Sequence, residues 1–264
     1  MSTALKSPPK FTINKGASRK AHRTLIYGVG GIGKSSLAAS IPGAVFIDLE
    51  GGAIDFDVKS VNGVESWQDL RALLASDALD DAKAIVLDTA SRAEELARNW
   101  VVANVKTAKG NTVSNLQGYG YGEGGAHLTD AWRLLLADLD RHYRAGRDIV
   151  LIAHEHLGTK PNPSGEDYKR HEPRLYHDNK SSVRAVTVEW CDHVLFINYD
   201  VMVSNDGKAK GSGSRAIYTS EQATFIAKSR TLPPDPIIFT RNDASIWNSM
   251  RNPKTSSANE APEL

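Results

Sequence analysis

Apolar residues in this chain fall into short unbroken runs separated by stretches with helical spacing. Ala44-Val45-Phe46-Ile47-Asp48-Leu49, Ala84-Ile85-Val86-Leu87-Asp88-Thr89 and Asp148-Ile149-Val150-Leu151-Ile152-Ala153 are too short for buried helices and do not alternate with polar residues. Each reads as a strand buried on both faces. A further short strand, around Leu25-Ile26-Tyr27, runs into a glycine-rich stretch. The intervening segments are predicted as helices. One covers 35–40 and is stopped by Pro42-Gly43, and one opens at Ser66, with Asp69 three positions on to complete a cap. A third covers 91–105. A fourth carries Leu128, Ala131, Trp132, Leu135, Leu139 and Tyr143 on one face and ends at Gly146. Residues 106–125 read as irregular and 157–182 as a long polar loop; such a loop inside a compact domain is a functional suspect. The remainder turns β-like at 193–199, 216–219, 224–227 and 237–240. This alternation implies an α/β fold with a mostly parallel central sheet, helices on its faces and antiparallel strands at the C-terminal edge.

The glycine-rich stretch gives that sheet a chemistry. Gly28-Val29-Gly30-Gly31-Ile32-Gly33-Lys34-Ser35 is G-x-x-x-x-G-K-S between a strand and a helix, the phosphate-binding P-loop. Its glycines let backbone N–H groups curl around an anion, and the helix running through Ser36 begins at the same point. Lys34 is expected to neutralise the β- and γ-phosphates and Ser35 to ligate Mg²⁺, so the expected ligand is a nucleoside triphosphate. Asp88 closes an apolar run, the setting of a Walker B acid that holds the metal together with Ser35. Glu50 ends the strand after the P-loop helix, where a carboxylate can orient and deprotonate an attacking water. Asp48 is a competing acid, because residues two apart on a strand point the same way. His154 follows the third buried run, as a γ-phosphate sensor, a structural histidine, or a metal ligand with His156; no third ligand stands at standard spacing. Asp48-Leu49-Glu50-Gly51 matches the D-x-x-G of GTPases, but it follows Ser35 too closely for a switch loop, and Thr240-Arg241-Asn242-Asp243 lacks the base-reading Lys. ATP is therefore expected.

Composition changes this little. The 264 residues are 41% hydrophobic and 24% charged, with a net charge of +1, ordinary for a globular protein. Cys191 is the single cysteine, which excludes an intrachain disulfide and a cysteine-based metal site. No run is long enough to span a membrane and no leader-type apolar region stands at the start, so the expected location is the cytoplasm. Charge is uneven at the ends. Residues 1–23 hold Lys6, Lys10, Lys15, Arg19, Lys20 and Arg23 with no acid, and read as a basic flexible arm. Residues 24–250 are expected to form the ATPase core and 251–264 a flexible tail.

With the P-loop, Glu50, Asp88 and His154 in line, the chain resembles the RecA/Rad-type recombinase core. The resemblance implies a RecA-like P-loop fold and assigns Glu50 of Asp48-Leu49-Glu50 as catalytic base. It places a sensor at His154, where RecA-type proteins carry Gln. Lys228-Ser229-Arg230 is similar to the Lys-x-Lys pair that reaches a neighbouring subunit's nucleotide, which implies a homo-oligomer, ring or filament, with Lys228 and Arg230 acting in trans. The resemblance also places DNA contacts on two segments. Gln117-Gly118-Tyr119-Gly120-Tyr121-Gly122 would present Tyr119 and Tyr121 for base stacking. The loop 157–182 would present Lys160, Lys169, Arg170 and Arg174, offset by Glu166, Asp167, Glu172 and Asp178. A core of this kind with Gly-Tyr-Gly-Tyr-Gly is similar to the phage-encoded RecA-like single-strand annealing ATPases, the fourth Sak group. The expectation is a Mg²⁺-dependent, DNA-stimulated ATPase that binds single-stranded DNA and pairs or anneals strands in phage recombination, with a single-strand-binding protein as a further partner. The alternative is a helicase-loader or partition-type ATPase acting on a protein; a small-molecule kinase is disfavoured because no Arg-rich lid follows the third strand.

Overall fold

Five of the apolar and β-like segments lie side by side and parallel, as their two-sided burial requires. The computed structural model describes residues 21–203 and 209–251. Its strands are β1 (Arg23–Gly28), β2 (Ala44–Asp48), β3 (Lys59–Val61), β4 (Ala84–Asp88), β5 (Asp148–Lys160), β6 (Tyr168–Pro173), β7 (His193–Val203), β8 (Ala209–Tyr218) and β9 (Ile237–Ile238). Its helices are α1 (Lys34–Ala39), α2 (Trp67–Ala75), α3 (Ala90–Asn104), α4 (Glu123–Arg144), α5 (Val183–Trp190) and α6 (Ser245–Arg251). The strand order is β3-β2-β4-β5-β1-β7-β8-β9, with β6 paired to β5 alone. Strands β3 through β7 in that order are parallel, while β8 and β9 extend the edge antiparallel. The expected architecture of a mostly parallel sheet with an antiparallel C-terminal edge is therefore present.

Alternation along each strand assigns the two faces. Leu25, Tyr27, Ile85, Leu87, Ile149 and Leu151 pack under α2 to α5, with Trp67, Leu70, Ala97, Trp132, Leu135 and Val183. Ile26, Phe46, Val86, Val150, Ile152 and Leu195 pack on the other face, under α1 and α6, with Leu37, Ile246, Trp247 and Met250. Ser66 caps α2 in a full capping box with Asp69, as its spacing predicts.

Several expectations are corrected. The predicted loop 157–182 holds a hairpin: β5 runs on to Lys160 and turns back as β6, from Glu155↔Pro173 to Lys160↔Tyr168, and α5 begins just after the span, at Val183. Polar residues disguised this hairpin because both its strands leave the sheet and face solvent. Residues 224–227 form isolated bridges rather than a strand. The edge strand β3, the short α5 and α6 have no counterpart among the predicted elements. Arg23 belongs to β1, not to an arm, and its guanidinium pairs with Asp140 at 3.3 Å and Asp192 at 3.5 Å while lying over Tyr143 and Trp190. Lys6, Lys10, Lys15, Arg19, Lys20 and the tail beyond Arg251 lie outside the described residues.

The glycine-rich stretch is also corrected: α4 begins at Glu123, so Gly124 and Gly125 are helical and allow close packing. A Cβ on Gly124 would stand 2.2 Å from the Leu116 carbonyl oxygen, and one on Gly125 2.3 Å from the Tyr176 hydroxyl. Gly124→Ala is therefore expected to cost about 1–3 kcal/mol in urea unfolding. Gly52→Ala, with φ −86° and nothing near its Cβ, serves as the neutral control. Equal stabilities for the two variants would remove the packing role.

Candidate nucleotide site

The site forms where β1, β2 and β4 end and β5 runs on beyond its parallel neighbours. Register places Gly28 opposite His154, and Asp48 opposite Asp88 with Asp88 opposite Ile152, so the strand-end acids stand two residues short of Gly28 and His154 at the same end of the sheet. The loop can leave β1 because Gly28 approaches β7 closely: a Cβ there would lie 2.3 Å from the Ile197 carbonyl oxygen. Gly33, at φ 110° and ψ 18°, then caps α1 in a conformation that side chains avoid.

Lys34 is buried at the base of this loop. Its Nζ donates to the carbonyls of Gly28 at 3.0 Å and Val29 at 2.8 Å. Burial lowers its pKa, opposed by the charges of Asp88 and Glu50. Ser35 Oγ donates to Asp88 Oδ2 at 2.7 Å, which sets the two expected metal ligands side by side. Asp88 is only 5% exposed, and burial raises its pKa above the ordinary carboxylate value. A hydroxyl beside a desolvated carboxylate is a hard oxygen donor pair that fits Mg²⁺. Bound there by Ser35 and Asp88, the ion would supply charge neutralisation for the phosphates.

The competition between Asp48 and Glu50 is resolved by where the strand stops. β2 ends at Asp48, and the chain turns tightly around its carboxylate. Asp48 Oδ1 accepts from the amides of Glu50 (3.1 Å), Gly51 (2.8 Å) and Gly52 (3.2 Å), and Oδ2 from that of Ala53 (2.9 Å). Asp48 thus folds the loop, and Glu50, outside the strand, turns its more exposed side chain to the site. Thr89 Oγ1 donates to Glu50 Oε1 at 2.7 Å, and His154 Nε2 stands 3.0 Å and 3.2 Å from the two Glu50 oxygens. Thr89 also caps α3 by accepting the Arg92 amide at 3.1 Å. Sequence reasoning overlooked Thr89, although a Thr at a strand-to-helix junction is an N-cap signal. It also overlooked the turn-forming role of Asp48, which the following Gly51-Gly52 signals. Among the described residues no cluster of three or more potential metal ligands forms, so His154 and His156 gain no third ligand.

The remaining expected site residues lie elsewhere. Lys228 bridges Val194, which pairs with Leu25, three residues before Gly28. That is about 10 Å down the strand from the chain's own P-loop. Burial lowers the Lys228 pKa, and Arg230 pairs with Asp192 at 3.4 Å. Tyr119 is corrected as a stacking residue: it is 6% exposed and its hydroxyl donates to the carbonyls of Val101 and Val105. Tyr121 is 91% exposed. Lys160 is tied to the buried Glu172 at 2.8 Å, Arg170 to Glu221, and Lys169 to Thr159, while Arg174 is exposed.

A family model described as an AAA domain matches residues 20–231. Among solved structures, the chain is similar to a KaiC-like protein from the hyperthermophilic archaeon Pyrococcus horikoshii OT3. The identity is 14% and the TM-score 0.41, over 83% of this chain and 90% of that one. No curated protein matches the chain. No helix of the described residues is long and apolar enough to cross a membrane.

Proposed function

The chain belongs to the AAA domain family and is a nucleotide-binding P-loop ATPase, and from that premise we propose that it hydrolyses Mg-ATP to control binding of single-stranded DNA, pairing or annealing strands in phage recombination. ATP binding at the P-loop would hold a homo-oligomer in its DNA-binding form, and hydrolysis would release the strand. In this reading Lys228 and Arg230, which pair within the chain with the Glu189 carbonyl and with Asp192, act on a neighbouring subunit's nucleotide. A single-strand-binding protein is the further partner this reading implies, and the cytoplasm its location.

The observation that carries the reading is Tyr121. It holds φ 47°, a region bulky residues avoid, between Gly120 and Gly122, both also at positive φ. Its ring is exposed, and Lys180 Nζ donates to its carbonyl at 2.5 Å, tying the glycine-rich segment to the turn before α5. An exposed aromatic held in an unfavourable backbone conformation beside a lysine is a platform for an unpaired base. Fluorescent poly-dT is expected to bind more tightly with ATP and more weakly as salt rises. Tyr121→Ala is expected to reduce that affinity about tenfold. Unchanged dT affinity with and without ATP, with no dependence on salt, would remove the DNA reading.

One observation favours a second reading. Lys160 and Lys169 are engaged inside the hairpin by Glu172 and Thr159, and Arg170 by Glu221 beyond it, which leaves Arg174 as the exposed cation of the expected set. A surface so neutralised also suits a protein target, as in a helicase loader or partition-type ATPase. Tight ATP-dependent binding to a replicative helicase in the absence of DNA is the outcome that reading requires.

A further inference from the structure

The side of the P-loop away from the acids holds a pair of residues with no role so far. In strand order, Glu50 follows β2, and Asp88 and His154 lie on β4 and β5, all to one side of β1. On the other side, Arg215 of β8 donates from Nη1 to the Ile32 carbonyl at 2.9 Å. Phe239, just after β9, donates its amide to the Arg215 carbonyl at 2.8 Å, and its ring lies 5.6 Å from the Arg215 guanidinium carbon. Both side chains close over Gly33: a Cβ there would stand 2.8 Å from the Phe239 ring and 3.0 Å from Arg215 Nη1. The lip of the phosphate cradle is thus a half-buried aromatic ring and a planar cation, each held by the antiparallel edge.

We infer that Arg215 and Phe239 form the nucleobase subsite, stacking a purine and so setting which nucleoside triphosphate the P-loop accepts. The inference rests on the P-loop holding a triphosphate. With the γ end of that chain directed to Ser35, Asp88 and Glu50, the β7–β8–β9 side would be left for its other end. There a ring and a guanidinium offer flat, half-buried faces, which reward the larger face of a purine over a pyrimidine. Arg215 shares its face of β8 with Ile217, which packs with α1, so the side chain is directed to the P-loop by the strand's alternation.

The test is equilibrium binding of the full chain to Mg-ATP, Mg-UTP and Mg-tripolyphosphate, the last having phosphates and no base. Wild-type protein is expected to bind ATP more tightly than UTP. Phe239→Ala is expected to weaken ATP about tenfold, leave tripolyphosphate unchanged and bring the ATP and UTP affinities together. Phe239→Tyr is expected to keep the wild-type pattern, and Arg215→Lys, which keeps the charge without the planar face, to weaken ATP more than tripolyphosphate. Unchanged ATP affinity in Phe239→Ala would overturn the inference. So would equal losses for ATP and tripolyphosphate, because the pair would then merely prop the loop. Wild-type protein that binds neither ligand would overturn the nucleotide reading itself, and this inference with it.

Discussion

Glu50→Gln is expected to lower ATP turnover at least about a hundredfold while leaving ATP affinity within about twofold. The substitution removes a base and little else. Glutamine keeps the carbonyl-type oxygen that accepts from Thr89 at 2.7 Å, and it reaches the same distance toward His154. The neighbouring acid cannot substitute, because both Asp48 oxygens are committed to four backbone amides between Glu50 and Ala53. Nor is Asp88 free, since its buried carboxylate is shared with the Ser35 hydroxyl. The contrast with Asp48→Ala makes the result diagnostic. That variant leaves the amides of 50–53 without their acceptor and is expected to lose stability as well as turnover. Single-turnover hydrolysis beside nucleotide binding separates the two. Wild-type turnover by Glu50→Gln would remove Glu50 as the base.

The strands that position this site were legible because each is buried on both faces and so reads as an unbroken apolar run. The P-loop was legible because its chemistry requires particular residues at fixed spacing. What escaped was set by tertiary context. The β5–β6 hairpin is polar because it stands away from the sheet, so no hydrophobic period marks it. Tyr119 and Tyr121 are two residues apart in the same glycine-rich sequence, yet one is buried against α3 and the other exposed. Nothing local distinguishes them. Asp48 and Glu50 looked equivalent while the strand was taken to continue, and became distinct once the turn after Asp48 was seen. Arg215 and Phe239 reach the P-loop only because the sheet brings β8 and β9 to it, a juxtaposition across some 200 residues that no motif encodes.

Asp88→Asn is expected to move stability and activity in opposite directions. Burial, the largest influence on this carboxyl, raises its pKa above the ordinary value of 3.8, against the Ser35 hydrogen bond that lowers it. A raised folded-state pKa means that the folded chain holds the proton more tightly than the unfolded one. The stabilisation from that proton is full below the ordinary carboxylate value and is lost as pH rises through the raised one. At pH 7, well above the ordinary carboxylate value, keeping this carboxyl buried therefore costs stability, and asparagine removes that cost while keeping an acceptor for Ser35. Without nucleotide, Asp88→Asn is expected to melt a few degrees above wild type at pH 7, with the gap closing as pH falls toward 3.8. Mg-ATP should reverse the order. Ligand at about a hundred times its dissociation constant stabilises wild type by about 2.7 kcal/mol, and the variant, lacking the carboxylate that faces Ser35, forfeits much of that along with turnover. Thermal melts at two pH values, each with and without Mg-ATP, test both halves. A variant that melts below wild type at pH 7 without nucleotide would show that the Asp88 carboxylate stabilises the fold. A variant stabilised by Mg-ATP as strongly as wild type would show that it does not hold the metal. The expected crossing of the two melting orders follows from one arrangement, a carboxylate kept buried and beside a hydroxyl, where charge costs stability until a cation meets it.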